Sequence, residues 1–163
     1  MTNEKFEAEK VYIALRPGIF PKLDDQHITV EYIGDNPRMA QLEFKLRQWK
    51  NRFQMEKRDL RVEITGYANW RTFNAFYEVA LVRFPDLPKL NFTKNWHITL
   101  KKSPVPVANR VFVDEECLVD YVDTLWVGYK VNGEFQWCPA YAVRQVFQQI
   151  IAKKTIPQDV MTS

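Results

Sequence analysis

The sequence predicts an α+β domain in which mixed or antiparallel sheets carry helices on their outer faces. Several short segments alternate between apolar and polar residues, as half-buried strands do. Two longer segments repeat apolar residues every three or four positions, as amphipathic helices do. The chain has 163 residues, of which 46% are hydrophobic and 14% aromatic. This is enough apolar material for one well-filled domain, so we expect residues 1–163 to form a single domain with two lobes.

The first part of the chain is predicted to form two strands and a helix. Residues 11–15 and 26–33 are rich in β-branched and aromatic side chains, and turn residues follow each of them. Asn36 suits the N-cap of a helix and Pro37 its first turn, so we predict a helix over residues 38–53. The apolar stripe of this helix comprises Met39, Leu42, Leu46, Trp49 and Phe53.

A hairpin is predicted after this helix. Residues 60–67 alternate between apolar and polar side chains, and residues 73–84 alternate well enough to be the partner strand. Residues 69–72 have the composition of a connection between them. Residues 85–96 begin with a proline-containing break and form a short irregular segment. This segment leads into another strand around His97.

More strands are predicted in the last third of the chain. We expect them near residues 110–113, 117–127 and 129–137. The last of these segments contains Asn132-Gly133, a strong turn signal, so its two arms are themselves a candidate hairpin.

A second helix is predicted from Pro139 to about residue 154, because proline is favoured in the first turn of a helix. Residues 156–163 are expected to be a frayed tail. The apolar stripe of the helix comprises Val143, Val146, Phe147, Ile150 and Ile151.

The composition gives no sign of a membrane segment. No apolar run approaches the roughly 20 residues that a spanning helix needs. Residues 1–10 are polar and charged and lack the apolar segment of a secretory signal. We therefore expect a soluble cytoplasmic protein with no membrane partner and no obligate protein partner. The net charge of +3 is compatible with an anionic ligand but decides nothing by itself.

The two cysteines, Cys117 and Cys138, are too few and too far apart for a disulfide framework or a paired-cysteine metal site. We expect two reduced thiols that act as small apolar groups. A zinc site made from both cysteines and both histidines would require four scattered single ligands. We therefore expect no bound metal and no cofactor.

Both histidines of the chain lie in the same short motif, His-Ile-Thr followed by an aliphatic residue. The first copy begins at His27 and the second at His97. Ordinary residue frequencies would place two histidines in this way roughly once in a million sequences, so chance is a poor explanation. Since strand side chains alternate between faces, His27 should project with Thr29 and His97 with Thr99. The isoleucine between each pair should point into a core.

Two imidazoles and two hydroxyls that face one cleft can carry out acid–base chemistry on a phosphodiester. One imidazole can remove a proton from an attacking hydroxyl or water while the other donates a proton to the leaving oxygen. Phosphodiester transfer to or from a 2′-hydroxyl needs this pair of groups and no metal. The threonine hydroxyls can hydrogen-bond the non-bridging phosphate oxygens and hold charge as it builds.

The doubled His-x-Thr-aliphatic signature resembles the 2H phosphoesterase superfamily, which includes LigT-like 2′-5′ RNA ligases and cyclic phosphodiesterases. The resemblance covers residues 11–127. It implies a bilobal fold in which each lobe supplies one motif to a central cleft. Carried over to this sequence, it implies His27 and His97 as the catalytic acid/base pair and Thr29 and Thr99 as phosphate ligands. Some small phage and bacterial members remove nucleotide signals used in antiviral defence, and a phage-encoded member would act in the host cytoplasm.

These residues predict a hydrolase, a metal-independent phosphodiesterase acting on 2′,3′-cyclic phosphates or 2′-5′ bonds in RNA ends or oligonucleotides. Its substrate would be a nucleotide, a cyclic nucleotide or a short RNA. A second possibility is a phosphodiesterase that degrades cyclic oligonucleotide or ADP-ribose-derived antiviral signals. A third, of another class, is a module that binds RNA or nucleotides without cleaving them. The motifs would contact only the phosphate, so the sequence does not decide among these three possible functions.

Further candidate substrate contacts are aromatic and basic residues close to the motifs. Bases stack on aromatic rings, and arginine or lysine side chains bind phosphate. Strand alternation places Glu31 on the face of His27 and Lys101 on the face of His97. The candidate contacts are Tyr12, Arg16, Trp70, Arg71, Trp96 and Lys101.

Overall fold

Eight strands and two helices form within residues 4–19, 26–106 and 117–155, the parts of the chain described by the structure, a computed structural model. Short 3₁₀ turns lie at Leu90–Phe92 and Ala140–Ala142. In chain order the elements are β1 (Glu9–Leu15), β2 (Ile28–Gly34), α1 (Met39–Arg52), β3 (Leu60–Arg71), β4 (Phe76–Arg83), β5 (His97–Ser103), β6 (Leu118–Val122), β7 (Trp126–Val131), β8 (Glu134–Pro139) and α2 (Val143–Thr155).

All eight strands belong to one antiparallel sheet in the order β6-β3-β4-β5-β2-β1-β7-β8. The two strands that carry the motifs, β2 and β5, are neighbours at its centre. Three further strands lie outside each of them. We call β2-β1-β7-β8 the first half-sheet and β5-β4-β3-β6 the second half-sheet. The expected α+β class is therefore observed, with a single continuous antiparallel sheet.

The two half-sheets meet at a very short seam. Within the described residues, β2 and β5 pair through Ile28 and Ile98 alone, which we call the central pair. Strands inside each half-sheet pair over much longer stretches. For example, β3 and β4 pair from Glu63 opposite Arg83 to Arg71 opposite Phe76. The backbone ladder is thus continuous within each half-sheet and minimal between them.

The core lies on the sheet face that carries the central pair, whose members are at most 1% exposed. Helix α1 packs there through its predicted stripe, and all five stripe residues are buried, which confirms the prediction. Helix α2 joins the same core through Phe147, which stacks on Phe6 with ring centroids 6.1 Å apart. The two helices are also joined by an ion pair between Glu43 and Arg144. We call the opposite face of the sheet the motif face.

The start of α1 differs from the sequence-based expectation. Asn36 is not the N-cap. It adopts a left-handed conformation with φ of 47°, which asparagine tolerates better than most residues, and its amide donates to the carbonyl of Ala8. Arg38 occupies the N-cap and makes no side-chain capping bond. Strand β3 also continues through residues 69–71, which were expected to be a connection, so the hairpin loop is only residues 72–75.

The segment predicted as one strand over residues 117–127 is two strands. It is broken at residues 123–125, where the carbonyl of Leu125 accepts a bond from the Ala140 amide. The predicted Asn132-Gly133 hairpin is confirmed, because both residues have positive φ, as a type I′ turn requires.

The last helix begins later than predicted. Pro139 ends β8, a 3₁₀ turn follows, and α2 starts at Val143. The predicted strand at residues 110–113 and the predicted tail at residues 156–163 lie outside the described residues.

Other sequence-based expectations concern the cysteines and the membrane. Cys138 is buried, and burial raises the pKa of its thiol to about 12, so it remains protonated at neutral pH. Cys117 is exposed. No helix in the described ranges is long and apolar enough to cross a membrane.

Side-chain hydrogen bonds hold the segment before β5, which leads into the second motif. The side-chain amide of Asn91 accepts from the backbone amide of Phe84 at 2.8 Å and donates to the carbonyl of Phe84 at 3.1 Å. The indole N–H of Trp96 donates to the carbonyl of Leu90 at 2.8 Å. These bonds replace the backbone ladder that a regular strand would provide.

Replacement of Asn91 by alanine should lower the free energy of unfolding by about 1–3 kcal/mol, because the amide of Phe84 loses its partner and the carbonyl of Phe84 keeps only its bond from the Leu87 amide. Asn91→Asp keeps the acceptor and loses the donor, so its cost should be intermediate. Urea denaturation measures both. The control is Asn74→Ala in the exposed hairpin loop, which should change stability by less than about 0.5 kcal/mol. Equal stabilities of the Asn91 and Asn74 variants would contradict this account.

Candidate active site

The central pair fixes the relative position of the two motifs. Because β2 and β5 run antiparallel and Ile28 faces Ile98, the residue before one isoleucine lies opposite the residue after the other. His27 is therefore placed opposite Thr99, and Thr29 opposite His97, all on the motif face. We call these four residues the His/Thr quartet.

The exposure of the quartet is compatible with ligand contact. Both histidines and Thr29 are half-buried, and Thr99 is exposed. The arrangement has approximate two-fold symmetry about the central pair, with one imidazole and one hydroxyl from each strand. A tetrahedral group between the diagonal imidazoles would have a titratable group on either side and a hydroxyl near each.

His97 is oriented by a backbone carbonyl and an indole ring. Its Nδ1 lies 2.7 Å from the carbonyl oxygen of Asn95. A carbonyl can only accept, so this bond requires a hydrogen on Nδ1 and leaves Nε2 as the nitrogen available to a substrate. The ring of Trp70 packs edge-to-face against the imidazole, with centroids 4.5 Å apart. The predicted contact Trp70 is thus brought directly beside the quartet.

His27 lies between two aromatic rings of the first half-sheet. Its ring centroid is 5.3 Å from that of Tyr12 and 4.9 Å from that of Trp137. Tyr12 is a predicted contact, whereas Trp137 was missed. The register explains Trp137, since Tyr12 pairs with Gly128 on β7 and Gly128 pairs with Trp137 on β8. Only the pairing of four strands, β2, β1, β7 and β8, places the three rings together, and no local pattern specifies it.

The predicted contact Arg16 belongs to the same side of the quartet. Its guanidinium lies over the ring of Trp126 at 5.1 Å and over the ring of Trp137 at 4.7 Å. It follows Tyr12 and Ala14 at alternate positions along β1, which places it on the motif face. A cation stacked on two indoles next to His27 is suitably placed to contact a phosphate.

Two predicted contacts lie away from the quartet. Trp96 is 3% exposed and packs in the core against Phe84, with ring centroids 5.0 Å apart, so it anchors the start of β5 and does not reach a ligand on the motif face. Arg71 lies at the hairpin end of β3, and its guanidinium is 5.6 Å from the ring centroid of Phe76.

A bulge changes the face of Lys101. In the ladder between β4 and β5, Thr99 pairs with Val79 and Lys101 with Glu78, so Leu100 is an extra residue. After this bulge the alternation is reversed, and Lys102 rather than Lys101 follows on the motif face. The ammonium of Lys102 lies 5.7 Å from the ring centroid of Tyr77.

An equivalent bulge lies in β2. Thr29 pairs with Ala14 and Glu31 with Ile13, so Val30 is the extra residue. Glu31 therefore turns to the helix side, not to the face of His27. There it accepts from the Trp49 indole at 2.8 Å and pairs with the Lys45 ammonium at 3.2 Å.

Lys94 was not identified from the sequence, because nothing in its neighbourhood marks it as different from other surface lysines. Its ammonium donates to the carbonyl of Thr29 at 2.8 Å and to the carbonyl of Val30 at 2.9 Å. It also lies 4.6 Å from the ring centroid of Trp96. The residue is exposed overall, yet partial burial of its ammonium lowers the pKa of Lys94, while the carboxylate of Glu31 acts in the opposite direction.

The side chains of the site are donors, acceptors and rings rather than a set of metal ligands. Among the residues that the structure describes, no group of three or more His, Cys, Asp or Glu side chains could hold a metal ion.

Comparisons with known proteins give a likeness of fold. No protein-family profile and no curated protein matches the sequence. The crystal structure of E. coli LigT complexed with phosphate is similar, with 14% sequence identity, a TM-score of 0.49, and coverage of 82% of this chain and 95% of that chain. The similarity is one of fold.

Gly128 is required for the position of Tyr12 beside His27. A Cβ atom at residue 128 would lie 2.7 Å from Cζ of Tyr12, so Gly128→Ala should displace this ring and cost about 1–3 kcal/mol of stability. The proton signals of the His27 ring, which lies near this aromatic ring, should shift in an NMR spectrum.

The matched control is Gly133→Ala at the β7–β8 turn. Gly133 has φ of 82° and no atom within 4 Å of an added Cβ, so alanine introduces backbone strain without a clash. This variant should lose stability of the order of 1 kcal/mol and leave the His27 signals in place. A Gly128 variant with unchanged His27 signals would show that Tyr12 does not depend on this contact.

Proposed function

We propose that the protein is a metal-independent phosphodiesterase that hydrolyses 2′,3′-cyclic phosphate or 2′-5′ phosphodiester bonds in nucleotides or short RNA. The single observation that carries the proposal is the His/Thr quartet, in which adjacent antiparallel strands present two imidazoles and two hydroxyls on one face. Binding alone would not demand two titratable groups in this arrangement, whereas acid–base catalysis does. We further propose that it acts in the cytoplasm without a cofactor.

For a 2′,3′-cyclic phosphate, one imidazole removes a proton from water as its oxygen forms a bond to phosphorus. The other imidazole donates a proton to the ribose oxygen as its bond to phosphorus breaks, and a phosphomonoester results. For a 2′-5′ bond, the neighbouring 3′-hydroxyl takes the place of water and the 5′ oxygen leaves. The near-symmetry of the quartet leaves either histidine able to serve as base.

The hydroxyls of Thr29 and Thr99 provide the electrostatic part of the mechanism. Each can donate to a non-bridging oxygen, on which negative charge grows as phosphorus becomes five-coordinate. Arg16, held by its two indole neighbours, adds a cation on the side of His27. A fixed cation needs little reorganisation when charge develops, so it favours the transition state over the ground state.

The aromatic rings beside the histidines favour a nucleotide over other phosphodiesters. Tyr12 and Trp137 lie next to His27, and Trp70 lies next to His97. A base stacked on an aromatic ring gains roughly 1–3 kcal/mol, largely without regard to its identity. Rings on both sides of the quartet also favour a second candidate. This is a cyclic oligonucleotide or ADP-ribose-derived signal, which would place a base or nucleotide on either side of the scissile phosphate.

Alanine at His27 or His97 should lower kcat/KM by about 10²–10⁴-fold, since each removes one proton-transfer group. Valine at Thr29 or Thr99 should lower kcat by about 10²–10³-fold, because it keeps the shape and removes the hydroxyl. The substrates are 2′,3′-cyclic AMP, 2′-5′-linked ApA and 3′,3′-cyclic di-AMP, with products identified by mass spectrometry. The wild type should retain its activity in EDTA and show a bell-shaped pH profile.

The control for this series is Gln145→Ala, an exposed position on α2 that should retain wild-type kinetics. Circular dichroism checks that every variant is folded. A histidine variant with full turnover would refute the acid/base assignment. Nucleotide binding by the wild type with no product from any substrate would instead support a binding module.

Two tryptophans distinguish the two candidate substrates. If the substrate places bases on both sides of the phosphate, Trp70→Ala and Trp137→Ala should each raise KM by roughly 5–150-fold, the equivalent of one lost stacking contact. A 2′,3′-cyclic mononucleotide has one base, so only one of the two variants should affect its KM. Steady-state kinetics on cyclic di-AMP and on 2′,3′-cyclic AMP separate these outcomes. Unchanged KM values in both variants would exclude base stacking at these rings.

A further inference from the structure

The seam between the half-sheets poses a mechanical problem for the quartet. Each half-sheet is a well-paired unit that carries one motif, but the described backbone pairing across the seam is the central pair alone. A single residue pair does little by itself to fix the angle between the two strands. Acid–base catalysis requires reacting groups to be held in place, so other contacts must restrict this angle. One is made by α1, because the indole of Trp49 donates to Glu31 of β2 and packs on Trp96 with ring centroids 6.1 Å apart.

Lys94 crosses this seam. The lysine belongs to the segment that enters β5, and both carbonyls that it binds, those of Thr29 and Val30, belong to β2. Successive carbonyls of a regular strand point to opposite edges, so one ammonium cannot normally bind both. The bulge at Val30 makes both accessible, and the lysine satisfies them where the ladder to β5 has already ended. The bond to Thr29 is made to the backbone of a quartet residue.

The other end of this link is fixed. Two residues after Lys94, the buried Trp96 holds the segment in the core through its bond to the carbonyl of Leu90. Between them, the carbonyl of Asn95 holds Nδ1 of His97 at 2.7 Å. Three consecutive residues therefore tether the first motif, orient the histidine of the second and anchor the segment. A movement of β2 relative to β5 would have to break at least one of these contacts.

We propose that Lys94 is a positioning residue that clamps the two half-sheets across the seam and thereby sets the distance between His27 and His97. Its effect on catalysis rests on the proposed function, whereas its effect on the seam does not. The three N–H donors of an ammonium suit two carbonyls on one strand. A methionine of similar length would fill the same space and leave both carbonyls without this donor.

The test compares Lys94→Met with a control, Lys89→Met. Lys89 is an exposed lysine of the same segment. Hydrogen–deuterium exchange reports on the seam without reference to activity. In Lys94→Met, amides of β2 and β5 next to the central pair should exchange about tenfold faster or more, while amides of the β7–β8 hairpin should be unchanged. Lys89→Met should match the wild type throughout. Unchanged exchange at the seam, or equal acceleration in all strands, would overturn the clamp.

Kinetics then test the positioning role on whichever substrate the wild type cleaves. Loss of alignment should lower kcat by about 10–100-fold and change KM by less than about threefold, because the phosphate and base contacts are retained. An equal kcat for Lys94→Met and wild type would refute positioning even if the phosphodiesterase is real. If no substrate is cleaved by the wild type, the proposed function fails, and the exchange pattern still decides the clamp. If Lys94→Met does not fold, Lys94→Gln should show faster exchange at the same amides, because its shorter, uncharged side chain forms weaker bonds to the two carbonyls.

Discussion

The burial of two isoleucines opposite one another at the centre of the sheet is the constraint on which the candidate site depends. Ile28 and Ile98 are removed from water beneath α1, which is worth about 1.5–3 kcal/mol for each side chain. Because strand side chains alternate strictly, this burial forces the flanking histidines and threonines to the opposite face. A slip of one residue by either strand would expose its isoleucine and bury its histidine and threonine. The core therefore selects the register that assembles the quartet.

The fourth residue of each motif has a structural role that the motif itself does not reveal. Val30 and Leu100 occupy equivalent positions after the threonines, and each is the extra residue of a bulge. A bulge reverses the alternation beyond it, so Glu31 is directed to α1 and Lys101 to the face opposite the quartet. An uninterrupted strand would have placed a carboxylate on the motif face next to Thr29, where it would repel a phosphate. The two bulges thus keep Glu31 off the motif face and bring Lys102 there in place of Lys101.

The sequence was informative wherever a local pattern determined the structure. Periodicity identified the stripes of both helices, and the Asn132-Gly133 turn signal identified the last hairpin. The role of the four motif residues stays a prediction. The sequence did not predict features that depend on contacts between segments distant in the chain. The bulge that reverses Lys101 depends on the partner strand β4. The position of Trp137 beside His27 depends on four strands, and the core position of Trp96 depends on its neighbours Phe53 and Phe84.

The short pairing between β2 and β5 explains why a lysine side chain, rather than further backbone hydrogen bonds, links the two half-sheets beside the central pair. Two fully paired strands lie about 4.8 Å apart along their length and form a continuous surface. Within the described residues β2 and β5 pair at one position only, so backbone bonds between them do not hold the two strands at a constant distance beyond it. Lys94 binds the carbonyls of Thr29 and Val30 from the other half-sheet, so the same contacts that compensate for the short seam also limit how far it can open.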